Sequence, residues 1–234
     1  DPARVGREKG METLESMGIP VQQAGSGAGE LCGREGCSSS RGEGGAFSGQ
    51  GVYRSPAPVV GVSVREWPGF GEPQQRALAR VCDDLCHRGY RVLFIPLQFP
   101  EDLSVSRQVA AMMESRAAVL DRGLTVDEAV SLVACLDLLI GMRLHALVLA
   151  AVMGVPPVGI SYDPKIGRFL ARLGLRPAGE ASGLEYGVLR RAVEEVLADP
   201  AGFRASLARM VGPLKERARA TARLACARLP GLKW

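Results

Sequence analysis

Five short apolar runs, each followed by a segment with helical spacing, constrain this chain more than any other feature. They cover residues 59–63, 92–95, 117–120, 138–140 and 158–160. Runs of this length without polar alternation read as strands buried on both faces. The segments between them read as helices. Residues 73–88 place Leu78, Val81, Cys82 and Leu85 on one side and stop at Gly89. Residues 104–115 follow, and then a helix to about Cys135 that opens with the capping box Thr125-Val-Asp-Glu128. The apolar segment 142–153 is too long for a strand and ends at Gly154. Asp163 is placed to cap a helix whose first residue is Pro164 and which stops at Gly174. Residues 186–198 and 201–224 predict two more helices, rich in Ala, Leu, Glu and Arg.

Strands that alternate with helices predict an α/β fold: a Rossmann-like parallel sheet with helices on both faces. Right-handed crossovers then put every strand-following loop on one edge of the sheet. That edge would collect Arg65, Gln98, Asp121, Arg143, His145 and Lys165. Loops at the carboxyl ends of parallel strands are where open α/β sheets bind ligands.

The residues on this edge suit an anionic ligand. The helix start after Gly141 offers unpaired N–H groups and the positive end of a dipole. Arg143 adds a planar fork for a phosphate or carboxylate. Lys165 adds a cation at a second helix start. His145, the one of the two histidines on this edge, is of the residue type best suited to carry a proton near neutral pH. Each has a plainer alternative. For Arg143 and His145 it is satisfying carbonyls and acids around a helix start, and for Arg65 it is pairing with Glu66 or Asp121. Asp137 reads as an orienting residue, Tyr162 as a stacking or packing ring, and His87 as a surface residue in a last helical turn.

The string GMRLHALVLAA…GVPPVGISYDPK, with Gly61-Val-Ser-Val-Arg65 and Ile95-Pro-Leu-Gln98 upstream, resembles the polysaccharide pyruvyl transferase family over roughly residues 58–175. The resemblance implies transfer of the pyruvoyl unit of phosphoenolpyruvate to a sugar of a cell-surface or cell-wall glycan as a ketal. It also implies the C-terminal domain of a two-domain transferase of the glycosyltransferase B type. The site then reads as His145 for catalysis, with Arg143, Leu144, Lys165, Arg65, Gln98 and Ser161 contacting substrate. Phosphoenolpyruvate is a co-substrate, and no cofactor or metal is expected. The partners are phosphoenolpyruvate and a glycan or lipid-linked sugar acceptor. Two other readings use the same architecture: a glycosyltransferase acting on a nucleotide sugar, and a non-catalytic glycan-binding remnant.

Members of that family carry another Rossmann-like half ahead of the part seen here. Residues 1–23 are therefore read as the remnant of an N-terminal domain, with Val5-Gly6-Arg7 as a degenerate form of a family motif and Arg7 as a weak candidate. Residues 24–57, rich in Gly and Ser, read as a flexible linker, and 58–234 as the transferase domain.

Composition excludes several other classes. A formal charge of +4 with acids and bases interspersed gives no footprint for nucleic acid. The cysteines at 32, 37, 82, 86, 135 and 226 form no CxxC and have no histidines at metal-ligand spacing. Cys82 and Cys86 share a helix face and read as small buried residues. No apolar run reaches about 18 residues. The expected location is the cytoplasm, with peripheral association at the inner membrane face if the acceptor is lipid-linked.

Overall fold

The computed structural model describes residues 57–228. The expectations for Arg7, the N-terminal remnant and nearly all of the linker lie outside the described residues. The strands are β1 (Val59–Ser63), β2 (Arg91–Phe94), β3 (Ala118–Val119), β4 (Leu138–Gly141) and β5 (Pro157–Gly159). The helices are α1 (Glu72–His87), α2 (Leu103–Ala111), α3 (Val126–Ala134), α4 (Leu144–Met153), α5 (Pro164–Arg172), α6 (Tyr186–Ala198) and α7 (Pro200–Arg228). A short 3₁₀ turn, Ala181–Gly183, precedes α6.

All strand pairs are parallel, and the sheet order is β3-β2-β1-β4-β5. The chain winds outward from β1 to β3, crosses back to β4 beside β1, and winds outward again. The order therefore reverses between β1 and β4, and the crevice at such a reversal is the standard ligand position of this architecture.

Alternate residues of each strand feed two cores. Val60, Val62, Val92, Phe94, Leu138 and Ile140 pack with Leu78, Val81 and Leu85 of α1, Val105 and Val109 of α2, and Leu189 and Val193 of α6. Val59, Leu93, Ile95 and Leu139 pack on the other face with Leu132 of α3, Leu147 and Ala150 of α4, and Leu170 of α5. Burial on both faces explains why the strand sequences read as unbroken apolar runs. Two glycines make room for this packing. A Cβ on Gly61 would run into Leu136 Cδ1, and one on Gly159 would lie 2.6 Å from Leu170 Cδ1. Helix α7 packs Leu207 and Val211 against Ala151 and Leu173, which ties α4 and α5 together from outside.

Several element ends differ from the sequence reading, each for a local reason. Helix α4 starts at Leu144 rather than Met142, because the Met142 N–H still bonds to the Ser63 carbonyl at 2.8 Å and prolongs the β1–β4 ladder. Helix α2 ends at Ala111 rather than near Ser115. There the buried Asp83 accepts from the backbone N–H groups of Glu114 (3.1 Å) and Ser115 (2.8 Å) and draws the chain out of the helix. Helix α7 runs through Pro213 to Arg228. The expected caps form: Thr125 and Glu128 make the reciprocal box, Asp163 Oδ1 accepts from the Lys165 N–H at 2.8 Å, and Gly154 adopts φ 75°. Asp137 is an orienting residue at the opposite edge, where Oδ2 accepts from the Val59 N–H at 2.9 Å.

Candidate functional site

The loops after the five strands share the carboxyl edge, but they bring the expected residues into two groups. The first surrounds the start of α4. Gln98, from the loop after β2, and Arg143 and His145, after β4, line an open pocket of about 340 Å³ with Leu97, Leu124, Thr125, Val126, Ala129, Val148 and Leu149. His145 is the second residue of α4 and is exposed. Among the described residues no side chain caps α4, and no acidic residue lies in its own first turn. Helices α3 and α5, by contrast, are both capped by side chains.

Arg143 is not a free fork. Its Nε donates to Asp102 Oδ2 at 2.8 Å and its Nη2 to Asp102 Oδ1, a two-pronged pairing with a carboxylate that is 1% exposed against 13% for the arginine. Asp102 Oδ2 also accepts from the Gln98 N–H at 3.1 Å, so one buried carboxylate holds both the arginine and the loop after β2. Among the described residues no acceptor takes the Nη1 donors.

The second group lies between the loops after β1 and β5. The Arg65 Nη1 donates to the Tyr162 hydroxyl at 2.9 Å, and its guanidinium carbon lies 4.8 Å from the Tyr162 ring centre and 5.3 Å from that of Trp67. The Trp67 and Tyr162 rings are 4.6 Å apart and tilted by 50°. Lys165 Nζ is 5.7 Å from the Tyr162 ring centre and 3.4 Å from Asp163 Oδ2. The Lys165 N–H foremost, then the Lys165 side chain and Arg168, hold the Asp163 carboxyl below the usual carboxylate range.

Two expected site residues serve packing and backbone pairing. Leu144 opens α4 and packs against the core shared by α3, α4 and α5. Ser161 is buried at the exit of β5, with its N–H bonded to the Gly179 carbonyl at 2.9 Å. Arg65 pairs with neither carboxylate suggested for it; its Nε donates to the Glu66 backbone carbonyl at 3.3 Å. His87 ends α1 on the surface, as expected. Burial pushes the Cys82 thiol far up and, to a lesser degree of burial, raises that of Cys86, in keeping with inert packing residues. At the β1–β4 crevice, the Ser63 hydroxyl is buried and has no hydrogen-bond partner among the described residues.

Sequence reasoning missed Asp102 and Trp67. Asp102 sits in Pro100-Glu-Asp-Leu103, a string that signals only a helix start. Trp67 precedes Pro68-Gly69, a turn signal that says nothing of what the ring meets.

Residues 50–164 match the profile of the family described as polysaccharide pyruvyl transferase. Over this stretch the sequence is similar to that family. The match takes in Arg65, Trp67, Gln98, Asp102, Arg143, His145 and Tyr162 and stops one residue before Lys165. No curated protein matches the sequence. Solved structures similar to this one include that of S. aureus MnaA with UDP, at 10% identity and TM-score 0.49, covering 64% of this chain and 40% of that one. A glycosyl transferase of family 9 from Veillonella parvula matches at 18% identity and TM-score 0.47, covering 61% and 46%. The glycosyltransferase SnogD from Streptomyces nogalater matches at 20% identity and TM-score 0.44, covering 74% and 45%. The chain spans less than half the length of each of these proteins. Among the described residues, no helix is long and apolar enough to cross a membrane, and no three potential ligands are grouped to hold a metal ion.

Proposed function

We propose that this chain takes part in transfer of the pyruvoyl unit of phosphoenolpyruvate to two hydroxyls of a glycan sugar, forming a cyclic ketal. The observation that carries this reading is the pocket at the start of α4. It joins an uncapped helix N-terminus, an arginine fixed by a buried carboxylate and an exposed histidine, all within the family-matched segment. The phosphate or carboxylate of phosphoenolpyruvate meets the first-turn N–H groups of α4 and the Nη1 side of Arg143. Asp102 is a positioning residue: it orients Arg143 without touching the ligand.

The chemistry balances as follows. The methylene carbon of phosphoenolpyruvate gains a proton, and a sugar hydroxyl oxygen bonds to C2 and loses its own proton. The C2–O bond to phosphate then breaks, releasing inorganic phosphate. A second sugar hydroxyl bonds to C2 and gives up its proton. His145 is the residue on this edge fitted to carry those protons. The sugar is held by groups farther along the same edge, and an acceptor linked to lipid is met from the cytoplasmic membrane surface.

The test is incubation with phosphoenolpyruvate and a bacterial wall glycan, reading phosphate release and ketal-linked pyruvate on the glycan by NMR. Both signals are expected, and both are lost in His145→Ala. Turnover of a nucleotide sugar with no use of phosphoenolpyruvate would replace this reading with glycosyl transfer. Glycan binding with neither reaction would leave a non-catalytic binding domain.

A further inference from the structure

Trp67 is 37% exposed, yet it sits on a rigidly built turn. The Phe70 N–H bonds back to the Trp67 carbonyl at 3.0 Å, and Pro68-Gly69, with Gly69 at φ 87°, has the residue pattern of a type II turn. The turn is clamped from below. Phe70 is buried, and the Phe70 carbonyl accepts from Gln75 Nε2 at 3.1 Å. Gly69 lies so close to the 3₁₀ turn that a Cβ on it would be 2.7 Å from Ser182 Cβ. A large ring is therefore held at the sheet's carboxyl edge with a third of its surface open, without serving the core.

Its surroundings specify what it meets. Tyr162 packs against it at 4.6 Å, and Arg65 lies against both rings. A guanidinium has five N–H donors. Arg65 directs Nε to the Glu66 carbonyl and Nη1 to the Tyr162 hydroxyl, and no carboxylate pairs with it among the described residues. An aromatic face beside unfilled cationic donors suits a ring that is apolar on its C–H face and carries an anionic substituent at its rim. Lys165 Nζ adds a second cation against Tyr162, although Asp163 partly offsets it.

We propose that Trp67, Tyr162 and Arg65 form a subsite for a sugar phosphate, with the sugar ring stacked on Trp67 and the phosphate at the Arg65 guanidinium. This subsite is separate from the pocket at α4. It rests on the pyruvyl transfer reading for the role of the bound sugar as acceptor, whereas its test does not.

The sequence contains two tryptophans, so Trp234→Phe leaves Trp67 as the sole indole reporter. In that background galactose 1-phosphate is expected to quench Trp67 emission, and methyl galactoside to do so with lower affinity. Arg65→Ala should weaken galactose 1-phosphate about tenfold and leave methyl galactoside unchanged. Calorimetry on Trp67→Ala should show both sugars weakened about tenfold, with Trp67→Phe retaining most of the affinity. Phosphoenolpyruvate affinity should not follow these losses. Failure of the unaltered chain to bind phosphoenolpyruvate would count against the proposed reaction while leaving this subsite standing. The subsite is overturned if galactose 1-phosphate leaves Trp67 emission unchanged. It is equally overturned if uridine monophosphate binds more tightly than the sugar phosphate and depends on Trp67, or if Trp67→Ala weakens phosphoenolpyruvate to the same extent.

Discussion

Arg65 and Arg143 leave neighbouring strands, β1 and β4, at the same edge of one sheet, yet they are held in opposite ways. Arg143 is nearly buried and gripped through two nitrogens by Asp102, itself fully enclosed. Arg65 is half-buried, lies against two aromatic rings and meets no carboxylate among the described residues. A buried pair fixes a charge to one geometry, because either partner left alone would be a desolvated ion. A guanidinium on a partly solvated ring is held by a shallower, less directional attraction. One crevice thus presents a rigid cation and an adaptable one.

The largest consequence of this difference falls on stability. Asp102→Ala strands the Arg143 charge and frees the Gln98 N–H, so the domain is expected to lose about 3–5 kcal/mol, read as a fall in the urea midpoint at unchanged slope. A loss below about 1 kcal/mol would show that Arg143 reaches solvent in solution, and the contrast with Arg65 would disappear.

His145→Ala separates chemistry from architecture at the rigid group. His145 is exposed and has no partner among the described residues, so stability should change by less than about 0.5 kcal/mol. Phosphate release from phosphoenolpyruvate in the presence of glycan should fall by roughly 10²–10⁴-fold. Activity near that of the unaltered protein would reduce His145 to a pocket wall.

Arg65→Ala tests the adaptable group. Loss of the cation–ring contacts should cost about 0.5–1 kcal/mol, several-fold less than Asp102→Ala in the same urea titration. Equal losses would mean that both arginines are structural.

The smallest effect is a pH dependence at the edge of the second group. The folded-state pKa of Asp163 is depressed, chiefly by the Lys165 N–H that it caps. Its ionised form therefore contributes stability above the unfolded-state pKa, and that contribution is lost as pH falls through the folded-state value. Asparagine keeps the cap without the charge. Asp163→Asn should thus be slightly less stable than the unaltered chain near neutral pH and converge with it in acid, as read by paired thermal melts. A gap that widens in acid would contradict the assignment.

Much of this edge is legible in the sequence. The unbroken apolar runs mark strands covered on both sides, and Thr125-Val-Asp-Glu128 and Asp163-Pro164 mark helix starts, because caps depend on residues close in sequence. The collection of Arg65, Gln98, Arg143 and Lys165 on one edge follows from parallel alternation alone. Their sorting into two groups does not. It depends on Asp102, 41 residues from Arg143, and on Tyr162, 97 residues from Arg65. No local pattern encodes such pairs. Even the early end of α2 is decided by Asp83, which reaches N–H groups 31 and 32 residues away.

By itself, then, the sequence determined the alternating elements, their caps and the edge that collects the candidate site residues, since these follow from short-range periodicity and the limited ways of covering a parallel sheet. Tertiary structure alone decided that Arg143 is fixed while Arg65 rests on rings, that Leu144 and Ser161 turn to packing and backbone pairing, and that Trp67 stands at the crevice. The reason is physical. A charged side chain's behaviour is set by which carboxylate, ring or solvent surrounds it, and those neighbours are brought together by the fold rather than by the chain.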